Sequence, residues 1–456
     1  MSDKSFANLN LEATWLENLD QLGYLQMTPI QADALPHMLE GKDVIGQAST
    51  GTGKTAAFGL ALLSKIEPAG QVPGALVLCP TRELATQVAE EIRRLARPIP
   101  NTNVVVLTGG TSVSRQRTSL AHGADVVVGT PGRVLDHLRR KSLDVSKVRT
   151  LVLDEADRML DMGFLEDVQT VAELVAPERQ THLFSATMSE DVERLSQTFQ
   201  RDPVWVEADS ETPDITQILY DLQGIDRFDA LERVLSYHSL ESAVIFCNER
   251  DTVDACRAVL KHAGYSVEGL HGGMEQRDRE AVLRLFSNQS VRFLVATNVA
   301  ARGIDIQELG AVINFEMPRD ITEFVHRVGR TGRAGESGLA ISLLGRSDAR
   351  KVEALPELLG GIEPRMASKL PSASTSPEPA KMRTLMLFAG KRDKLRPGDV
   401  VGAFTGEFGL DVDALGKITI EERASYVAVA SEVAEAALVK LRKGKIKGKN
   451  IKGQLV

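Results

Sequence analysis

The sequence has little of what marks a secreted, zinc-stapled or membrane-spanning protein. Its 456 residues hold three cysteines, Cys79, Cys247 and Cys256. That is too few for a disulfide framework or for a four-ligand zinc site of any usual spacing. No apolar run approaches the ~20 residues that cross a bilayer. The opening stretch from Met1 to Asn10 has no hydrophobic segment of the kind a secretory signal carries. These absences give the expectation of a cytoplasmic protein with no membrane partner and no structural metal. What is present, 43% apolar and 25% charged residues, is the make-up of a globular protein of roughly three domains. The net charge of −8 argues against a simple polyanion binder, but it is unevenly spread. Residues 381–456 carry 15 Lys/Arg against 9 Asp/Glu, whereas the preceding 380 carry 39 against 53. Affinity for nucleic acid is therefore expected partly at the C-terminal end.

The chain is organised around the run Ala48, Ser49, Thr50, Gly51, Thr52, Gly53, Lys54 and Thr55, set between an apolar strand and a helix of small residues. Glycines there let the backbone approach phosphate oxygens, and the following helix aims unpaired N–H groups at the same anion. Lys54 is expected on the β- and γ-phosphates of ATP and the Thr55 hydroxyl on Mg2+. Ala48 stands where the general phosphate-loop pattern has glycine, so partners elsewhere are needed. Gln31 supplies one: its amide matches the N6/N7 edge of adenine, and Phe6 could stack on that base. Alone, Gln31 is an ordinary surface amide.

Short apolar strands then alternate with helical stretches, which indicates a parallel sheet covered on both faces. Ligands of such sheets bind at the carboxyl ends of strands. Arg82, Gly109, Gly110, Thr130, Arg133, Asp154, Glu155, Asp157, Ser185 and Thr187 all follow strand ends. Asp154 can hold Mg2+ through water, and Glu155 can deprotonate an attacking water; the plainer reading of two adjacent acids is a helix cap with a first-turn charge. A second alternating series, from Ile215, has no glycine–lysine turn of its own. It carries Arg330 and Arg333, which could reach a γ-phosphate as arginine fingers. Residues 367–380 are rich in Pro and Ser and are expected to be flexible. Beyond them a βαββαβ pattern suggests an RNA recognition motif poor in aromatics. Tyr426 is its best stacking candidate, and Lys440, Arg442, Lys443, Lys445, Lys447 and Lys449 form its basic run.

Together these stretches resemble the DEAD-box RNA helicases, with eight motifs in that family's order between residue 6 and about residue 350. Alanine at position 48 is the family's own version of the phosphate loop. The resemblance implies an α/β architecture of two tandem RecA-like domains, 1–207 and 214–366, then the linker 367–380 and the RRM-like domain 381–456. It implies that Phe6 and Gln31 contact adenine, that Ser185 and Thr187, with Asp157, couple the nucleotide to interdomain contacts, and that Gly303 and Asp305 meet the nucleotide. It assigns Arg82, Gly109, Gly110, Thr130 and Arg133, with Gln276, Arg279 and Thr297, to an RNA path. One residue departs from the pattern: Asn298 replaces an aspartate, which puts any ion pair there in question. The basic module resembles that of the bacterial DbpA subgroup, which implies hairpin 92 of 23S rRNA as target and a role in assembly of the large (50S) subunit on pre-50S particles. The expected activity is RNA-stimulated ATP hydrolysis with local, non-processive unwinding by a monomer. The alternative is an ATP-gated RNA clamp that seldom unwinds.

Overall fold

The computed structural model describes residues 4–48, 51–68, 70–207, 215–298, 309–332, 337–348, 351–352, 359, 361–372 and 377–456. The chain divides into two compact units, one ending at Pro213 and the other carrying everything described from Ile215 onward.

The first unit is built on seven parallel strands: β1 (Val44–Gln47), β2 (Ala75–Leu78), β3 (Val104–Leu107), β4 (Val126–Gly129), β5 (Thr150–Leu153), β6 (Gln180–Ser185) and β7 (Val204–Glu207). Their order is β3-β4-β2-β5-β6-β1-β7. Alternate side chains of a strand point to opposite faces. In β2, Ala75 and Val77 enter one apolar cluster with Phe58 and Ile92, while Leu76 and Leu78 enter the other with Val134 and Met159. Two buried faces explain why these strands read as unbroken apolar runs rather than alternating ones. The strand order has a consequence for chemistry: β5, β6 and β1 are neighbours, so the residues that follow them converge at one end of the sheet.

The second unit begins with an equivalent sheet of β8 (Ile215–Asp221), β9 (Ala243–Cys247), β10 (Val267–Leu270), β11 (Phe293–Thr297), β12 (Ala311–Asn314), β13 (Gly338–Leu344) and β14 (Arg365–Met366). Its order, β10-β11-β9-β12-β13-β8-β14, repeats the first. The two-residue β14 is too short to leave an alternating pattern in the sequence.

The stretch expected to be flexible, 367–380, is anchored on either side of residues 373–376, which lie outside the described residues. Ala367 is fully buried in the core of the second sheet. Arg233 donates to the Leu370 carbonyl at 3.1 Å, and Arg292 to that of Glu378 at 2.7 Å. Pro/Ser content signals only the lack of a regular ladder; it does not report side-chain donors arriving from elsewhere in the fold.

The last 75 or so residues form an antiparallel sheet of β15 (Met382–Leu387), β16 (Leu415–Ile420), β17 (Ser425–Ala430) and β18 (Gly453–Leu455), ordered β16-β17-β15-β18. Leu385, Leu387, Val427 and Val429 pack on one face against Phe404, Leu438 and Leu441. The other face is seated on the preceding domain, on the helix Gln276–Ser287 and the turn after it. There the Thr384 hydroxyl meets Asn288 Nδ2 at 3.3 Å and Ser290 Oγ at 2.8 Å. The Arg284 guanidinium lies 3.6 Å from the centre of the Tyr426 ring and pairs with Glu421. The module is thus part of the second unit, where the sequence suggested a separately tethered body.

Candidate nucleotide and RNA sites

The phosphate loop leaves β1 at Gln47, and the Ala48 N–H donates to the Ser185 carbonyl at 2.9 Å, which ties it to β6. Gly51 and Gly53 have φ of 92° and 88°, a left-handed backbone that side chains resist. Gly53 caps the buried helix Lys54–Leu63. A Cβ on Gly53 would lie 2.5 Å from Gln31 Nε2, because Gln31 grips the loop. Its Nε2 donates to the Gly53 carbonyl at 2.9 Å and its Oε1 accepts from Thr28 N–H at 2.9 Å. The Thr28 hydroxyl adds a bond to the Thr52 carbonyl at 2.7 Å.

Two expectations change here. Gln31 is fully buried and spends part of its amide on the loop, a clamping role beside the expected contact with adenine. Phe6 is also buried, packed edge-on against Tyr24 as part of the core. A short helical turn, Phe6–Asn8, turns its ring inward.

Lys54, itself buried, places Nζ 3.4 Å from Asp154 Oδ1, just past β5. Asp154 is fully buried, and neither carboxylate oxygen has a hydrogen-bond partner. Burial pushes its carboxyl upward from the usual range, and the Lys54 ammonium opposes that rise. A buried carboxylate met at ion-pair distance by one ammonium keeps lone pairs to fill, and a hydrated divalent cation can fill them. The donors present therefore fit Mg2+, and Asp154 would hold it with the Thr55 hydroxyl.

Glu155 has φ 54° and ψ 55°, a left-handed conformation for a non-glycine residue at the start of the helix Ala156–Asp161. Strain of this kind costs about 1–3 kcal/mol and persists where surrounding contacts enforce it. One such contact is a buried ion pair, Arg158 Nη1 to Glu155 Oε2 at 2.7 Å. Arg158 is 2% exposed and was not singled out from the sequence, although its place three residues after the acid on a helix was a legible signal. Next to it, Asp157 Oδ2 accepts from both the N–H and the hydroxyl of Thr187 at 3.1 Å. The Ser185 hydroxyl accepts from Asp157 N–H at 3.2 Å and donates to the Thr187 carbonyl at 2.7 Å. Asp157, Ser185 and Thr187 therefore form one network beside the acid pair.

At the ends of β2, β3 and β4 a second group assembles. Gly109 lies against the Arg82 guanidinium, which a Cβ there would meet at 2.8 Å. Arg133 donates to the Thr111 carbonyl at 2.9 Å and to Gln116 Oε1 at 2.7 Å. Gln116 in turn donates to the Thr108 carbonyl at 2.9 Å. Thr130 N–H bonds to the Leu107 carbonyl at 3.0 Å, and Gly110 has φ 77°. Arg82, Gly109, Gly110, Thr130 and Arg133 are thus gathered at one end of the sheet. Gln116, a buried residue that sequence reading passed over, holds three segments of this end together.

In the second unit Gln276 and Arg279 lie on the first turn of the helix Gln276–Ser287, and Thr297 ends β11. Asn298 answers the question its substitution raised. Its Oδ1 accepts from Arg327 Nε at 2.6 Å, so a neutral carbonyl replaces the carboxylate. Arg327 is 1% exposed and also reaches Asn248 Oδ1 at 2.7 Å and Asn314 Oδ1 at 3.2 Å. Glu323 at 3.2 Å supplies its counter-charge. Arg330 is nearly buried just after the helix Ile321–Val328. Ser49, Thr50, Gly303, Asp305 and Arg333 lie outside the described residues. In the C-terminal module Arg442, Lys443, Lys445, Lys447 and Lys449 are exposed, and Lys440 donates to the Phe408 carbonyl. Tyr426 is corrected: Arg284 occupies its ring face, so that face is closed to a base.

A phosphate loop, a buried acid pair and a set of residues gathered at the strand ends are the parts of an RNA-dependent ATPase, and comparison with known proteins agrees. Residues 28–195 match the DEAD/DEAH box helicase family, 226–335 the helicase conserved C-terminal domain, and 384–454 the DbpA RNA binding domain. The ATP-dependent RNA helicase DbpA of Escherichia coli (strain K12) is 47% identical over 455 residues, 99% of both chains. The chain belongs to the DEAD-box RNA helicases. This DEAD-box chain is also 41% identical over 387 residues to the helicase CshA of Bacillus anthracis, covering 81% of this chain and 73% of that one. Among solved structures, S. cerevisiae Dbp5 bound to RNA and ADP BeF3 aligns with a TM-score of 0.72 at 31% identity, over 80% of this chain and 95% of that one. The helicase is of the DbpA type, an ATP-dependent enzyme with an RNA-binding C-terminal domain. Among the described residues no helix is long and apolar enough to cross a membrane, and no group of His, Cys, Asp and Glu could hold a metal ion as a cluster.

Proposed function

We propose that this helicase uses ATP to separate short RNA duplexes next to hairpin 92 of 23S rRNA, during assembly of the 50S subunit in the cytoplasm, acting as a monomer. The observation that carries the reading is the match of residues 384–454 to the DbpA RNA binding domain, in a chain related over its full length to a DbpA. At the gathered strand ends of the helicase core, the Arg133 and Gln116 side chains are engaged with one another and with backbone carbonyls. Arginines, threonine and glycine backbone suit phosphate and 2′-OH groups, which are common to all RNA. Choice of place then falls to the C-terminal module, which holds the core near its substrate and raises the local concentration.

In hydrolysis, Glu155 takes a proton from the attacking water, and Arg158 holds its carboxylate in place. Lys54 moves from Asp154 to the β- and γ-phosphates, where its charge offsets theirs. Mg2+, when bound by Asp154 and Thr55, supplies further neutralisation of phosphate charge. The network of Asp157, Ser185 and Thr187 positions the acid pair. Opening about five base-pair steps costs on the order of 7 kcal/mol at ~1.4 per step, within reach of one cycle of tight RNA binding, so local opening is favoured over tracking.

The test is release of a short RNA strand annealed beside hairpin 92, with multiple turnovers of ATP. Release that needs ATP and slows when the hairpin is replaced by another stem is expected. Tight ATP-dependent binding without strand release would favour the clamp, and equal release from both RNAs would remove the hairpin from the account.

A further inference from the structure

With Tyr426 covered by Arg284, the C-terminal sheet still has one uncovered ring. Phe388 follows β15 and is 51% exposed, while the other two phenylalanines of the module, Phe404 and Phe408, are buried. Its backbone continues the ladder, donating to the Lys452 carbonyl at 2.8 Å. Register places Met386 opposite Gln454 and Leu387 opposite Gly453. Leu387 points into the helix-covered core, so by strand alternation Phe388 and Lys452 stand side by side on the opposite face. That is the face whose Thr384 and Tyr426 part is closed by the neighbouring domain. The Phe388 end is open.

The surroundings carry more cations than acids, with Arg392 paired to Glu422 at 3.7 Å and Asp393 inside the same loop. Lys391, Arg392 and Lys394 begin three residues on and are exposed. Their loop is fixed, because the Lys391 N–H bonds to the Glu421 carbonyl at 2.8 Å and the Lys394 carbonyl accepts from Lys447 Nζ at 2.9 Å. An exposed ring costs free energy in water. A ring held on a strand, with an ammonium group next to it and a rigid basic loop beyond, matches a nucleotide: base on the ring, phosphates on the cations.

The geometry points to Phe388 as a stacking platform for one unpaired base of RNA, with Lys452 and the loop at 391–394 holding the flanking phosphates. This deepens the proposed function and rests on the C-terminal module being the RNA anchor. It adds a contact to single-stranded RNA that the basic run from Lys440 to Lys449 cannot make, since that run has no ring.

The experiment uses the full chain and a single-stranded RNA of mixed sequence carrying 2-aminopurine, whose fluorescence falls on stacking, without nucleotide. Wild type should quench the probe. Phe388→Leu, apolar but without a ring face, should lose the quenching and bind about tenfold more weakly, within the range for one stacked base. Phe388→Trp should keep both, which excludes a mere packing role. Lys452→Ala should reduce the salt slope of binding by about 0.7. Quenching and affinity unchanged in Phe388→Leu would overturn the inference. A triple variant, Lys443→Glu, Lys445→Glu and Lys449→Glu, separates the two readings. If it binds as wild type, the anchor reading itself fails; if it binds weakly while Phe388→Leu does not, only the stacking platform falls.

Discussion

Replacing Arg158 should change how ATP hydrolysis depends on pH. Arg158 is 2% exposed and meets Glu155 at 2.7 Å, with the Glu155 side chain 4% exposed. Removing one partner of a buried ion pair leaves a charge without compensation, which costs about 3–5 kcal/mol. The protein can meet that cost in two ways, by losing stability or by protonating Glu155. Protonation is the cheaper route for an isolated buried carboxylate, and it removes the base from the reaction. In Arg158→Met, RNA-stimulated hydrolysis at neutral pH should therefore fall by about two orders of magnitude, the usual worth of a general base. Activity should recover in part as pH rises, because raising pH re-ionises a carboxyl whose titration has moved upward. Arg158→Lys keeps the charge but not the fixed fork, and should lie between. The assay is initial rate against pH at saturating RNA, with thermal melts to confirm folding at the assay temperature. A rate that falls equally at every pH, or does not fall, would refute the argument that Arg158 acts through the ionisation of Glu155.

Three further perturbations test other parts of the account. His182 is fully buried, with both ring nitrogens unpartnered and its titration pushed by burial from 6.5 down to about 3. The unfolded chain takes up that proton below about 6.5 and the folded one does not, so stability drains as pH falls, by roughly 2 kcal/mol between pH 7 and pH 5. Urea melts of His182→Leu should lack that share of the slope, and a slope equal to wild type would contradict the assignment. Gly53→Ala forces a side chain into φ 88° and against Gln31; its ATP dissociation constant, from fluorescent-nucleotide titration, should rise at least ~10-fold given ~1–2 kcal/mol of backbone cost plus the clash, whereas an unchanged constant would show the loop is not held as described. Arg284→Ala removes a shielded cation–ring contact worth about 2 kcal/mol. Hydrogen exchange along β17 should quicken in that variant, and protection equal to wild type would mean the sheet does not depend on that contact.

What the sequence made legible follows from range. The strands of both large sheets were readable because burial on two faces leaves continuous apolar runs, as in Ala75–Leu78. Lys54, Asp154 and Glu155 were singled out because the phosphate loop and the strand-end acids are local patterns, and the structure buries the three together. Asp157, Ser185 and Thr187 came from the family resemblance, and the structure joins them in one network. Residues that act through distant partners were not legible. Gln116 is an unremarkable helical amide until Thr108 and Arg133 arrive beside it. Tyr426 looked free because nothing in its own strand says that Arg284, far away in sequence, covers it. Gln31 gave no sign in the sequence that its amide also holds the loop carbonyl of Gly53, 22 residues on. The anchors on either side of residues 373–376 were not legible for the same reason, since Arg233 and Arg292 reach them from elsewhere in the fold.

The central claim is that a core without sequence preference is directed by its C-terminal module. It is tested most directly by the ATPase rate with a 23S rRNA fragment containing hairpin 92 against an unrelated RNA of equal length. The comparison is made in the full chain and in the full chain carrying Lys443→Glu, Lys445→Glu and Lys449→Glu. The account predicts stronger stimulation by the fragment, with that preference lost in the charge-reversed chain. Equal stimulation by both RNAs in the unaltered chain would contradict it.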